Sequence, residues 1–285
     1  MPGSSFDSRG AYNPTVIKES SDWFMLYRAE NFKEELTGKI GFAQSKDGIH
    51  FIKYPQPVII PDHDFDRFGC EDPRLTKLKD TYYLTYVGNC GQYETGNICL
   101  ATSRDLIHWE KHGSILEPQK DWDHGQVKAG AILPQKINGK YLMYFMGERE
   151  PWKTAIGLAY SDDLLNFYEP LEEPVLSPRR GYFDSVGVEP GPPPLLTEEG
   201  IWFIYCGWNS DCIYKVGAVL FSRDDPSKVL ERSKEPIFTP AKDWGVFFGE
   251  ASNHVVPEGL VKDGSRWLLY YGAADRACCL AIWER

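Results

Sequence analysis

Trp23-Phe24-Met25-Leu26-Tyr27, Tyr82-Tyr83-Leu84-Thr85-Tyr86, Tyr141-Leu142-Met143-Tyr144, Trp202-Phe203-Ile204-Tyr205 and Trp267-Leu268-Leu269-Tyr270 are five versions of one short aromatic-apolar strand. Their closing tyrosines stand 59, 58, 61 and 65 residues apart. A second phrase trails the first three copies: Ser45-Lys46-Asp47-Gly48, Ser103-Arg104-Asp105-Leu106 and Ser161-Asp162-Asp163-Leu164, with Ser222-Arg223-Asp224-Asp225 as a weaker fourth. Five repeats of about 57 residues fill the chain of 285. Hairpin signals such as Ile137-Asn138-Gly139-Lys140 and Lys262-Asp263-Gly264-Ser265 punctuate them. A four-stranded unit of that size cannot bury both faces alone, whereas radial packing against its neighbours can. The expectation is an all-β, five-bladed β-propeller forming a single catalytic domain over residues 1–285, with a β-sandwich as the competing fold. The Ser-x-Asp phrases carry turn chemistry and are expected to form turns rather than a site.

Composition agrees with many short strands: 14% aromatic residues, 26 Gly and 20 Pro. A net charge of −10 without a basic stripe argues against nucleic acid and anionic membrane surfaces as partners. Seven cysteines, an odd number with no C-x-x-C pair, read as free thiols in a reducing compartment. No secretory signal and no apolar run of about 18 residues is present, so a cytoplasmic protein is expected. No zinc motif or Gly-rich phosphate loop occurs, and no metal or cofactor is expected. Self-association into a homo-oligomer stays open.

In a propeller the innermost strands converge on the axis, so the residues preceding each aromatic strand are the ones to compare. These are Asn13-Pro14, Glu71-Asp72-Pro73-Arg74, Lys128-Ala129-Gly130, Glu189-Pro190-Gly191 and Asn253-His254. Five repeats thus deliver amide, carboxylate, ammonium and imidazole groups to one place. Unpaired buried charge is costly, so such groups either pair with one another or bind something polar. Arg74 and Lys128 serve as counter-ions for Glu71 and Asp72 in the blander reading. Nearby rings (Tyr12, Phe68, Tyr93, Trp122, Trp152, Tyr182, Trp208, Trp244) suit a sugar, although most are expected to pack the core.

The ordered set Glu71-Asp72-Pro73-Arg74, Lys140-Tyr141-Leu142-Met143-Tyr144, Ile156-Gly157-Leu158-Ala159-Tyr160-Ser161, Gly191-Pro192-Pro193-Pro194-Leu195 and Tyr270-Tyr271-Gly272-Ala273-Ala274-Asp275 resembles glycoside hydrolase family 130 along nearly the whole chain. That family comprises mannoside phosphorylases and hydrolytic β-1,2-mannosidases, and the resemblance implies a five-bladed propeller. In its phosphorylases the aspartate corresponding to Asp72 donates a proton through a sugar hydroxyl, and phosphate is the nucleophile. The chain departs from them at Met146-Gly147-Glu148, where they carry a His-Arg pair, at Tyr205-Cys206-Gly207, where they carry Tyr-His-Gly, and at Lys128-Ala129, where they carry Lys-Asp. Lost positive charge weakens the hold on a dianion.

The resemblance is therefore closest to the hydrolytic members, implying release of mannose from β-1,2-linked manno-oligosaccharides. Inversion needs two carboxyls roughly 6.5–9.5 Å apart. Glu189 and Glu258 are assigned as that pair, with acid and base undecided and Glu250 as a substitute for Glu258. Asp72 and Arg74 grip the terminal mannose; Asn13, Glu71, Lys128, Glu250, Asn253, His254 and Asp275 complete the substrate contacts. Three alternatives stand beside this reading: a phosphorylase making mannose 1-phosphate, an arabinan- or xylan-cleaving propeller, and a sugar-binding propeller without turnover.

Overall fold

A computed structural model describes residues 5–32, 38–91, 96–240 and 251–284. Among them there are strands and turns but no helix, and none is therefore long and apolar enough to cross a membrane. The first repeat folds as β1 (Gly10–Glu19), β2 (Asp22–Glu30), β3 (Lys39–Ser45) and β4 (Ile52–Lys53). The second gives β5 (Gly69–Leu78), β6 (Thr81–Asn89), β7 (Gly96–Ser103) and β8 (Glu110–Leu116), and the third β9 (Gln126–Ile132), β10 (Tyr141–Glu150) and β11 (Lys153–Ser161). The fourth gives β12 (Gly187–Pro190), β13 (Leu195–Leu196), β14 (Ile201–Trp208), β15 (Tyr214–Phe221) and β16 (Val229–Arg232). The fifth supplies β17 (Val255–Asp263), β18 (Arg266–Ala273) and β19 (Ala277–Glu284).

Pairing within each repeat is antiparallel between sequence neighbours, as the hairpin turns demand. The expected five separate sheets are nevertheless not what the hydrogen bonds form. Ala11 of β1 pairs in parallel with Ala277 of β19, and this bridge fuses the first and fifth repeats into one seven-stranded sheet. In the third repeat β10 and β11 form a ladder, and β9 runs beside β10, flanked by bonds from Gly125 N–H to Glu148 O (2.9 Å) and Leu133 N–H to Leu142 O (2.9 Å).

The apolar cores lie between successive repeats. Leu26, Phe42 and Ile40 of the first meet Leu75, Leu84 and Tyr86 of the second. Leu142, Tyr144 and Leu158 of the third meet Phe203, Val219 and Phe221 of the fourth, and Val16, Trp23 and Tyr27 meet Leu268 and Tyr270 across the seam. All five closing tyrosines are buried, which makes their hydroxyls costly unless paired. Each finds an acceptor in a distant loop: Asp7 for Tyr27, Asp66 for Tyr86, Pro226 O for Tyr144, Asp184 for Tyr205 and Gly48 O for Tyr270, at 2.7 to 3.2 Å. The ring leaves no room beside it: a Cβ on Gly41, opposite Tyr27, would lie 2.3 Å from the ring.

The Ser-x-Asp phrases are turns, as expected. In each of the first three, the Ser Oγ and the Asp Oδ1 accept backbone N–H groups two and three residues on. The turn requires left-handed backbone, met by Gly48 (φ 75°) but also by Leu106 (φ 67°) and Leu164 (φ 71°), whose buried side chains hold them there. None of the seven cysteines forms a disulfide among the described residues.

Candidate active site

β1, β5, β9, β12 and β17 each send residues to one cavity of about 260 Å³. Asn13, Glu71, Asp72, Lys128 and Glu189 meet on its wall, joined by Gln126 and Val256 from the same strands and by His254 and Asp275 from turns. A recurring bulge aims two of these groups. The register of β1 on β2 shifts between Tyr12 and Thr15, and that of β5 on β6 between Glu71 and Arg74. Asn13 (φ 50°) and Asp72 (φ 49°) occupy the bulges in left-handed backbone, each followed by a proline, and the Asn13 amide donates to Asp72 Oδ1 at 2.7 Å. In β9 the residue with that conformation is Ala129 (φ 56°). Lys128 therefore corresponds to Glu71 rather than to Asp72.

The charges are ordered around Arg28, whose Nη1 lies 3.1 Å from Glu71 Oε2 and 3.4 Å from Asp72 Oδ1, while its Nη2 lies 2.8 Å from Glu30. Lys128 Nζ stands 3.8 Å from Glu71 Oε2, and Asn89 donates to the other Glu71 oxygen. Burial works to raise the Asp72 carboxyl, but Arg28, Arg74, Asn13 and Lys128 outweigh it and hold it below the ordinary carboxylate range. Glu189 goes the other way. Burial pushes it up to about 7, with Arg74 opposing and the Asp72 charge adding to the rise. Burial likewise lifts Asp275 to about 6 and lowers His254 to about 4, so that the imidazole is neutral at pH 7. The wall thus holds an ionised carboxylate beside a carboxyl that exchanges its proton near neutrality.

Three expectations are corrected by this geometry. Arg74 does not line the cavity: it is 1% exposed and donates to Asp72 O (2.9 Å), Pro190 O (2.9 Å) and Gly191 O (3.1 Å), tying β5 to β12. Glu258 sits at the β17 bulge, between Pro257 and Gly259, but is 0% exposed and lies behind Arg74, whose Nη2 is 3.3 Å from Glu258 and 3.6 Å from Glu189. Neither Glu258 oxygen has a hydrogen bond among the described residues, and burial raises this carboxyl well above its ordinary value. A carboxyl sealed from the cavity does not activate water there. Asn253 contributes through its backbone, its carbonyl accepting from Tyr214 N–H at 3.0 Å, and its side chain is not on the wall. Glu250, Tyr93 and Trp244 lie outside the described residues.

Sequence reasoning missed Arg28, Gln126 and Tyr214. The aromatic strands run on past their tyrosines, and that continuation brings Arg28, Glu148 and Trp208 to the wall. Of the rings singled out, Trp152 and Trp208 line the cavity, whereas Tyr12 supports it by donating from its hydroxyl to Glu30 at 2.6 Å. Trp208 stacks on Tyr214 at 4.4 Å, and Tyr214 packs on His254 at 4.0 Å.

Residues 3–285 match a family model described as beta-1,4-mannooligosaccharide phosphorylase, glycoside hydrolase family 130. The chain is 35% identical to a 1,2-beta-oligomannan phosphorylase of Thermoanaerobacter sp. (strain X514), over 98% of this chain and 91% of the relative. A beta-1,2-mannobiose phosphorylase of the same organism is 34% identical over 98% of this chain and 92% of its own length. A solved structure superposes with a TM-score of 0.86 at 32% identity, covering 98% of this chain and 85% of the other. It is described under the statement that the family of mannoside phosphorylases contains glycoside hydrolases targeting β-1,2-mannosidic linkages in Candida mannan. The curated relatives weigh toward phosphorolysis, against the expectation of hydrolysis.

Proposed function

Because the chain belongs to glycoside hydrolase family 130, we propose that it cleaves β-mannosidic bonds in manno-oligosaccharides, β-1,2-linked ones first, within this cavity. The linkage is supported by the relatives' specificities. Cores lying between successive repeats, including the last with the first, support a single five-bladed propeller in which two blades share a seam.

The observation that carries the reaction is the split between two neighbouring carboxyls. Glu189, at about 7, holds a proton it can deliver to the departing glycosidic oxygen, and Asp72, kept ionised, cannot. Asp72 then accepts: its contacts with Asn13 and Arg28 both fall on Oδ1, which leaves Oδ2 for a sugar hydroxyl or the attacking water. Glu71, Lys128, Asn13 and Asp275 grip the remaining hydroxyls.

Water is the acceptor this wall favours. Five carboxyls (Glu71, Asp72, Glu148, Glu189, Asp275) line it against two permanent cations, Arg28 and Lys128, both within salt-bridge distance of Glu71. A phosphate dianion entering here meets net negative charge. Phosphorolysis is the second reading, favoured by the curated relatives.

Incubation with β-1,2-mannobiose, with and without phosphate, separates the two. Free mannose in both arms is the expected result; mannose 1-phosphate formed only with phosphate establishes the second reading. Inertness toward β-1,2- and β-1,4-mannobiose in both arms would sink both.

A further inference from the structure

We propose that Trp152 is the platform for the sugar ring on the leaving side of the scissile bond, and that Glu148 is the positioning residue that holds it; this rests on the mannoside-cleaving reading above. The cavity lining mixes two chemistries: Asn13, Glu71, Asp72 and Asp275 offer polar groups suited to hydroxyls, and Met146, Pro151 and Trp152 offer apolar surface. A pyranose presents both surfaces, hydroxyls at its rim and C–H groups on its face, so a lining of this kind suits a sugar chain.

Trp152 differs from every other ring on that wall. Trp208, Tyr214 and His254 are stacked on one another, whereas the Trp152 indole is 54% exposed and has no aromatic or cationic partner among the described residues. Its backbone is left-handed at φ 70°, a conformation disfavoured for so bulky a side chain and kept only where the surroundings impose it. Glu148 imposes it. One carboxylate oxygen accepts the Trp152 N–H at 2.6 Å while the other accepts the Gln126 amide, and the β10–β11 register shifts between Glu148 and Glu150. Glu148 is thereby committed to the loop rather than to the reacting bond.

The substrate class that follows is an oligosaccharide whose ring beyond the cut stacks on indole. β-Mannosyl fluoride, whose leaving group is a single atom, does not reach Trp152 and serves as the internal control. Trp152→Ala should lower kcat/KM for β-1,2-mannobiose by about tenfold or more, mainly through KM, while β-mannosyl fluoride turnover stays within about twofold. Trp152→Phe should restore most of the loss, and Glu148→Ala should reproduce the Trp152→Ala pattern in weaker form. Mannobiose should also quench tryptophan emission in the wild type, and less so in Trp152→Phe. Equal effects of Trp152→Ala on both substrates, or on neither, overturn the platform while leaving mannoside cleavage intact. A wild type that cleaves neither substrate removes the reading itself, and the platform with it.

Discussion

Glu189→Gln tests the proposed proton donor in two independent ways. Gln keeps the shape and removes the titration, so loss of general acid catalysis should cut kcat on β-1,2-mannobiose by about 10²–10⁴. Stability should move in the opposite direction. Glu189 titrates near 4.5 when exposed and at about 7 in the folded wall, so the folded chain holds its proton more tightly than the unfolded one. Below pH 4.5 both states are protonated and the wild type and variant should be equally stable. As pH rises toward 7 the unfolded wild type releases the proton and the folded one does not, which favours unfolding. A rise of some 2.5 units at 1.36 kcal/mol each makes the variant more stable by about 3 kcal/mol above pH 7. Urea unfolding of both proteins at pH 4.5, 6 and 7.5 reads this, since groups that do not feel Glu189 cancel in the difference. Activity within tenfold of the wild type, or a stability gap that ignores pH, would refute the reasoning.

Two further substitutions separate groups that the sequence grouped together. Glu258→Gln should leave cleavage at pH 7 within about threefold and stability within about 1 kcal/mol, because the carboxyl it replaces is sealed from the cavity, pushed toward its protonated form by burial and without hydrogen bonds among the described residues; loss of turnover would return Glu258 to the chemistry. Arg74→Met should destabilise by about 3–5 kcal/mol in urea unfolding, since three buried carbonyls lose their donor. Adding Glu258→Met should recover part of that loss, and a cost under about 1 kcal/mol for Arg74→Met alone would show that the guanidinium does not hold β5 to β12.

The strands were legible because burying a sheet on both faces writes its period into the chain, and the five tyrosines keep it. Asn13 and Asp72 were legible because a left-handed bulge before proline favours short polar side chains. Ala129 has the same backbone without the chemistry, so it left no mark. Arg74 and Glu258 were misread for a different reason: sequence gives the side of a strand a residue takes, not its depth beneath the cavity wall. Both carry charge at the right period and both are sealed below the cavity floor. Arg28 was overlooked because it follows the aromatic strand rather than preceding it.

The seam between β1 and β19 also governs when the molecule becomes competent. Ala11 and Ala277 are 266 residues apart in the chain, and their bridge forms only once the fifth repeat exists. Contacts of such range are slow to form, and until then the edge of β1 stays open to wrong partners. Asp275, in the turn leading to β19, is among the last wall residues to be synthesised, and its carbonyl packs closely over Gly10. Activity should therefore emerge on the ribosome, or during refolding, as a late event coincident with formation of the β1–β19 bridge, with four finished repeats still silent.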